Sequence, residues 1–208
     1  MNMLRKFDNS EKTSEILNTP NALTAVRLFG GPALGILMGM KEISPINALA
    51  LIAILGATDA EGNLIRLSER FPKIQNKLRI HASELGTKLD PIADKALVVS
   101  TLIGGAIGGD ISPAVAIGIG TTEALTSGVT IAAEAKGSNP SVSNIGKLGM
   151  IGRVMTIGSN LIGSSIPPEA HPLGHEIANS TTSFGLAVTV ALGSYSCYKL
   201  VKENLIKN

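Results

Sequence analysis

The run GTKLDPIADKALVVSTLIGGAIGGD, Gly86 to Asp110, decides the fold. From Leu89 to Ile107 it is apolar and close to the length that crosses a bilayer, with its charges crowded at the start. Pro91 suits the first turn of a helix, and the apolar residues that follow suit its continuation. Asp90 and Asp94 are then one turn apart on one face. Ionised groups at the end of a membrane span cost from about 2.5 kcal/mol upward each, so a functional site is the default reading of this pair. The alternative pairs Asp94 with Lys95 or Lys88 at the interface.

Five more segments of this kind flank it: roughly Asn21 to Met40, Pro45 to Thr58, Ile111 to Ala133, Met150 to Ile166 and Ile177 to Val201. Two of them are weak. Pro45 to Thr58 is short, and Met150 to Ile166 carries Arg153 among many Gly and Ser residues. The connections supply an independent test. Arg5, Lys6 and Lys12 precede the first segment, and only Lys41 follows it. Arg66, Arg70, Lys73, Lys77, Arg79 and Lys88 lie between the second and third, whereas residues 108–110 carry no basic residue. Lys136 and Lys147 come next; residues 164–176 have no Lys or Arg, and Lys199, Lys202 and Lys207 close the chain. This alternation predicts an all-α, polytopic membrane bundle of about six transmembrane helices with both termini cytoplasmic.

The first twenty residues are polar and charged and do not form a cleavable signal peptide. Residues 1–20 are expected to be a cytoplasmic, juxtamembrane amphipathic segment, and residues 21–208 one membrane domain. Among 208 residues there are 23 Gly and no Trp, so the helices should approach closely through small residues. Gly104 with Gly108 and Gly105 with Gly109 suit packing inside the bundle or, alternatively, a homodimer contact. Cys197 is the only cysteine, which excludes an internal disulfide and suggests a packing residue. A small transporter would show an internal repeat or helices broken at mid-membrane, and neither is visible.

Upstream of Gly86, the stretch GATDAEGNLIR offers Asp59, Glu61, Gly62 and Arg66. With Asp90 and Asp94 these acids would make a four-carboxylate site at the cytoplasmic boundary, a donor set that selects Mg²⁺ or Mn²⁺ over zinc. Gly62 leaves room for a close ligand, and Arg66 offers a fork for phosphate. A solvated helix end is the other reading of Asp59 and Glu61. His171 and His175 have metal-like spacing, but Pro172 and Gly174 argue against a helix there, and His81 lies in the basic loop; all three are read as loop histidines.

The two acidic stretches together resemble the signature of the CDP-alcohol phosphotransferase family, DxxDGxxAR followed by GxxxDxxxD. Gly86, Asp90 and Asp94 match the second half in full. In the first half Gly62 and Arg66 match, Glu61 stands for the second Asp, Ile65 for Ala and Thr58 for the first Asp, while Asp59 falls one residue late. PNALTAVR, with Asn21, Thr24 and Arg27, is similar to the opening of the first span in bacterial phosphatidylglycerophosphate synthases. The region from Thr121 to Gly149, with Glu123, Gly146 and Lys147, resembles their fourth-to-fifth connection, with Thr122 and Gly149 at two positions expected to be basic. An intramembrane Arg27 requires an internal partner or a snorkelling route, and a structural ion pair and a substrate contact are both open to it. Residues 67–85 form a longer connection than the family pattern has, readable as an amphipathic helix on the anionic leaflet or as a solvated loop.

The resemblance implies transfer of a phosphatidyl group from a CDP-linked lipid such as CDP-diacylglycerol to a small phosphorylated alcohol, with release of CMP. It implies two divalent ions, Mg²⁺ or Mn²⁺, held by Asp59, Glu61, Asp90 and Asp94, with Asp94 as base and Gly62, Arg66 and Gly86 at the nucleotide. Lys147 and Arg153 become candidates for a phosphate on the acceptor, which favours glycerol 3-phosphate. The expected partners are these substrates and the lipids of the cell membrane, with no nucleic acid. The displaced Asp59 keeps open a second reading, a degenerate member that binds nucleotide or lipid without turnover.

Overall fold

A helix occupies every one of the six apolar segments in the computed structural model, which describes residues 19–58, 84–137 and 144–206. They are α1 (Thr19–Gly39), α2 (Pro45–Ala57), α3 (Glu84–Gly108), α4 (Pro113–Ala135), α5 (Asn144–Ser165) and α6 (Pro172–Val201), the last continuing into a π-helical turn, Lys202–Ile206. No strand occurs among the described residues. The expected juxtamembrane segment up to residue 18, the Asp59 to Arg66 stretch, His81 and the rest of the connection up to residue 83 lie outside them.

The outer surface shows why these helices need a membrane. Phe29, Ile107, Ile117, Leu173 and Phe184 are each more than two-thirds exposed, among many other large apolar side chains that face outward. Water would penalise such a surface, whereas lipid matches it. α1, α3, α4 and α6 are long and apolar enough to cross a bilayer. α2, with 13 residues, reaches about 20 Å at 1.5 Å per residue, short of a ~30 Å hydrocarbon core. α5 has the length, at 22 residues, but Arg153 and its Gly, Ser and Asn residues dilute its hydropathy. These are the two segments that the sequence marks as weak.

Two starting points differ from expectation. α3 begins at Glu84, so Pro91 lies inside the helix rather than in its first turn. An internal proline forfeits one backbone hydrogen bond and typically costs about 3 kcal/mol. The turn that contains it is anchored by the side-chain contacts of Asp90 and Asp94 described below, which favour its helical form. α6 begins at Pro172, so His175 is helical despite Pro172 and Gly174. Proline is well placed at the first helical position, where its missing N–H would have no partner in any case.

By its contacts the chain divides into two compact units, Met1–Leu37 with Ala50–Thr101, and Met38–Leu49 with Leu102–Asn208. In the first, α1 and α3 run parallel at close range. A β-carbon on Gly31 would come within 2.7 Å of the Leu97 α-carbon, and one on Gly35 would run into the Ser100 carbonyl. Leu34, Leu55, Ala93 and Leu97 fill the remaining core of this unit.

In the second unit α5 and α6 are antiparallel and meet through small residues. Gly152 faces Thr189, Gly185 faces Thr156, and Gly163 faces Ala178. The Ser159 and Thr182 hydroxyls are 2.9 Å apart between them. α4 adds its face to α6 through Gly118 beneath Leu186 and Thr122 against Gly193. Gly108 abuts the Met38 carbonyl and Gly39 approaches Gly104, so this small-residue pair serves packing within the chain. Gly109, at φ +76, ends α3, and the Asp110 and Ile111 amides both donate to the Gly105 carbonyl, at 2.8 and 2.9 Å.

Candidate active site

α3 presents Gly86, Asp90 and Asp94 as a single stripe, because the helix starts early enough to include all three at four-residue intervals. Opposite this stripe, α1 presents Thr24 and Arg27, three residues apart on one face. The Arg27 guanidinium bridges the two acids. Its Nη2 donates to Asp90 Oδ1 at 3.0 Å, and its Nη1 donates to Asp94 Oδ1. Thr24 Oγ1 lies 2.6 Å from the same Asp90 oxygen and 3.1 Å from the Pro20 carbonyl.

Burial divides the cluster sharply. Arg27 is fully buried, while the Asp90 and Asp94 side chains are 34% and 40% exposed. A buried guanidinium requires partners, since a lone charge there would cost several kcal/mol. The carboxylates fulfil that need and still keep an open face. The two acids give the cluster hard oxygen donors on that open face.

The alternative pairing of Asp94 with Lys95 does not occur: Lys95 is exposed, and it is Arg27 that meets the acid. Reading the sequence alone misses the Arg27–Asp94 contact, although it carries a signal for it. Odd-numbered spans run in the same direction, so an arginine early in the first and an acid early in the third lie toward the same side of the membrane.

Arg153, the other intramembrane arginine, is paired with Glu123, at side-chain exposures of 20% and 14%. This joins the middle of α5 to the middle of α4. The side chain of Lys147 lies outside the described residues, although its backbone opens α5. Thr58, at the position where the family has its first Asp, turns its hydroxyl back onto the Leu55 carbonyl at 2.6 Å. His175 Nδ1 lies 3.1 Å and 3.2 Å from the Gly163 and Ile166 carbonyls, a tie between helix ends rather than a ligand set.

The chain belongs to the CDP-alcohol phosphatidyltransferase family, whose sequence profile matches residues 77–192, more than half its length. Members of this family are transferases that act on CDP-linked alcohols and generally depend on a divalent metal. The matched span contains Gly86, Asp90 and Asp94 and starts after the altered stretch from Thr58 to Arg66. No curated protein matches the chain.

The cluster on α1 and α3 fits a hard divalent ion in donor type. It contributes two carboxylates. Among the described residues no group of three or more His, Cys, Asp or Glu side chains gathers to hold a metal, and Asp59 and Glu61 lie outside those residues.

Proposed function

We propose that the protein transfers a phosphatidyl group from CDP-diacylglycerol to glycerol 3-phosphate and releases CMP. The observation that carries this reading is the Gly86, Asp90, Asp94 stripe, whose two carboxylates keep an open face while a fully buried Arg27 holds them. On this reading Asp59 and Glu61 complete the ligand set begun by Asp90 and Asp94. Two Mg²⁺ or Mn²⁺ ions, when bound, would supply charge neutralisation for the pyrophosphate.

The protein's own groups then have distinct tasks. Gly86 and Gly62 leave room for the nucleotide beside the acids, and Arg66 forks onto its phosphate. Asp94 accepts the proton of the acceptor hydroxyl. The new bond forms between that oxygen and the lipid-side phosphorus, while the bond from this phosphorus to the CMP oxygen breaks and its electron pair leaves with CMP. Arg27 and Thr24 fix the carboxylate orientations from the α1 side. Lys147 meets the acceptor phosphate, and Arg153, already engaged by Glu123, has a secondary part. The positive-inside pattern puts this face and both termini on the cytoplasmic side of the cell membrane.

Purified full-length protein, supplied with CDP-diacylglycerol and Mg²⁺, should release CMP with glycerol 3-phosphate and far less with glycerol or inositol. Equal release with all three acceptors would remove the role of Lys147.

Thr58 favours a second reading. The family's first acid is here a hydroxyl bound to its own helix, and a one-residue shift in sequence, as at Asp59, corresponds to about 100° around an ideal helix. Mg²⁺ tolerates such displacement badly, so a chain that binds CDP-lipid without turnover is the competing function. Retained nucleotide binding with no CMP release for any acceptor would establish it.

A further inference from the structure

We propose that Arg27 is a built-in stand-in for the metal: its guanidinium holds Asp90 and Asp94 in place when no divalent cation is bound and yields them when one arrives. The inference rests on the metal-site reading above and adds an exchange to it. Two carboxylates one turn apart on the same helix repel each other, and a cation between them removes that repulsion. The structure gives this place to Arg27, whose two terminal nitrogens each take one oxygen, one from each acid. A forked, permanently charged group is suited to this bridging, whereas an ammonium is a single point.

The same acids are the proposed ligands, so metal and guanidinium compete for them both by contact and by charge. Thr24 makes the exchange orderly. Its hydroxyl reaches the same Asp90 oxygen independently of Arg27, so one side of the site stays oriented while the guanidinium withdraws. The Arg153–Glu123 pair, with both side chains largely buried, presents no open acid for such an exchange.

The test is Mn²⁺ titration of the full-length protein in lipid nanodiscs without substrates, read by the electron paramagnetic resonance of free Mn²⁺ and by thermal unfolding. Arg27→Gln should bind Mn²⁺ at least about tenfold more tightly than wild type, which is ~1.4 kcal/mol. It should also melt lower than wild type without metal and gain more on adding Mn²⁺. Arg27→Lys, with its charge kept and its fork lost, should lie between the two. Affinity that is unchanged or weaker in Arg27→Gln overturns the exchange. If Arg27→Gln does not fold, Arg27→Lys decides, with tighter binding supporting the exchange and equal or weaker binding rejecting it. Mn²⁺ bound equally by wild type and both variants removes the exchange alone. Mn²⁺ bound by none of them removes the metal site as well.

Discussion

Among the described residues two arginines lie within the helices, Arg27 and Arg153, and their surroundings differ in one respect that matters. Arg153 meets one acid, Glu123, with both side chains largely buried, so the charges cancel and the pair is closed. Arg27 meets two acids, Asp90 and Asp94, whose outer faces remain accessible. A closed pair of equal charges is a structural tie. An open cluster of two acids keeps carboxylate oxygens within reach of a ligand. The difference lies in stoichiometry and exposure rather than in residue type.

Four perturbations would break or sharpen this contrast. The largest effect is expected at the open cluster, where Asp90→Asn should reduce metal-dependent CMP release by at least about a hundredfold, given how strongly misplaced catalytic geometry is penalised. Activity and a melting curve measured on one preparation would separate this from unfolding. At the closed pair the expected loss is stability. Glu123→Gln leaves Arg153 without a counter-ion and should destabilise by about 3 kcal/mol, whereas Glu123→Gln with Arg153→Met should recover most of it. A double-mutant cycle in detergent would show whether the two charges couple.

A smaller effect should follow from Gly35→Ala, since the added carbon meets the Ser100 carbonyl where α1 lies on α3. Overpacking of this kind costs about 1–3 kcal/mol, and by loosening the hold of Arg27 on the acids it should tighten Mn²⁺ binding, though less than Arg27→Gln does. The smallest is His175→Ala, which removes a tie to the end of α5 worth about 1 kcal/mol. It should lower the melting temperature slightly and leave Mn²⁺ affinity unchanged; a loss of Mn²⁺ binding would revive a metal role for that histidine.

Much of the architecture was legible from the sequence because lipid imposes a single rule, that apolar stretches of spanning length form helices. Even the weakness of α2 and α5 was visible, from one segment's length and from Arg153 in the other. The helix starts were less legible. Pro91 marks a helix beginning by local rules, but α3 runs through it, where contacts from α1 favour the turn. Pro172 and Gly174 read as breakers, yet α6 begins at Pro172, because a first-turn proline has no backbone hydrogen bond to lose.

The site was legible by residue type and only in part by partner. Gly86, Asp90 and Asp94 declared themselves by spacing. Their bridge to Arg27 joins residues more than sixty positions apart, beyond the reach of a local reading, whose alternative partner Lys95 is exposed and whose other, Lys88, has its side chain outside the described residues. The early start of α3 was also needed to bring Gly86 into the acids' stripe.

The most direct test of the central claim is CMP release from CDP-diacylglycerol by wild type and Asp94→Asn, each with Mg²⁺ and glycerol 3-phosphate and each after chelation. Wild-type release that requires the metal and disappears in Asp94→Asn is the predicted result. Release that survives either chelation or Asp94→Asn at the wild-type rate would contradict it.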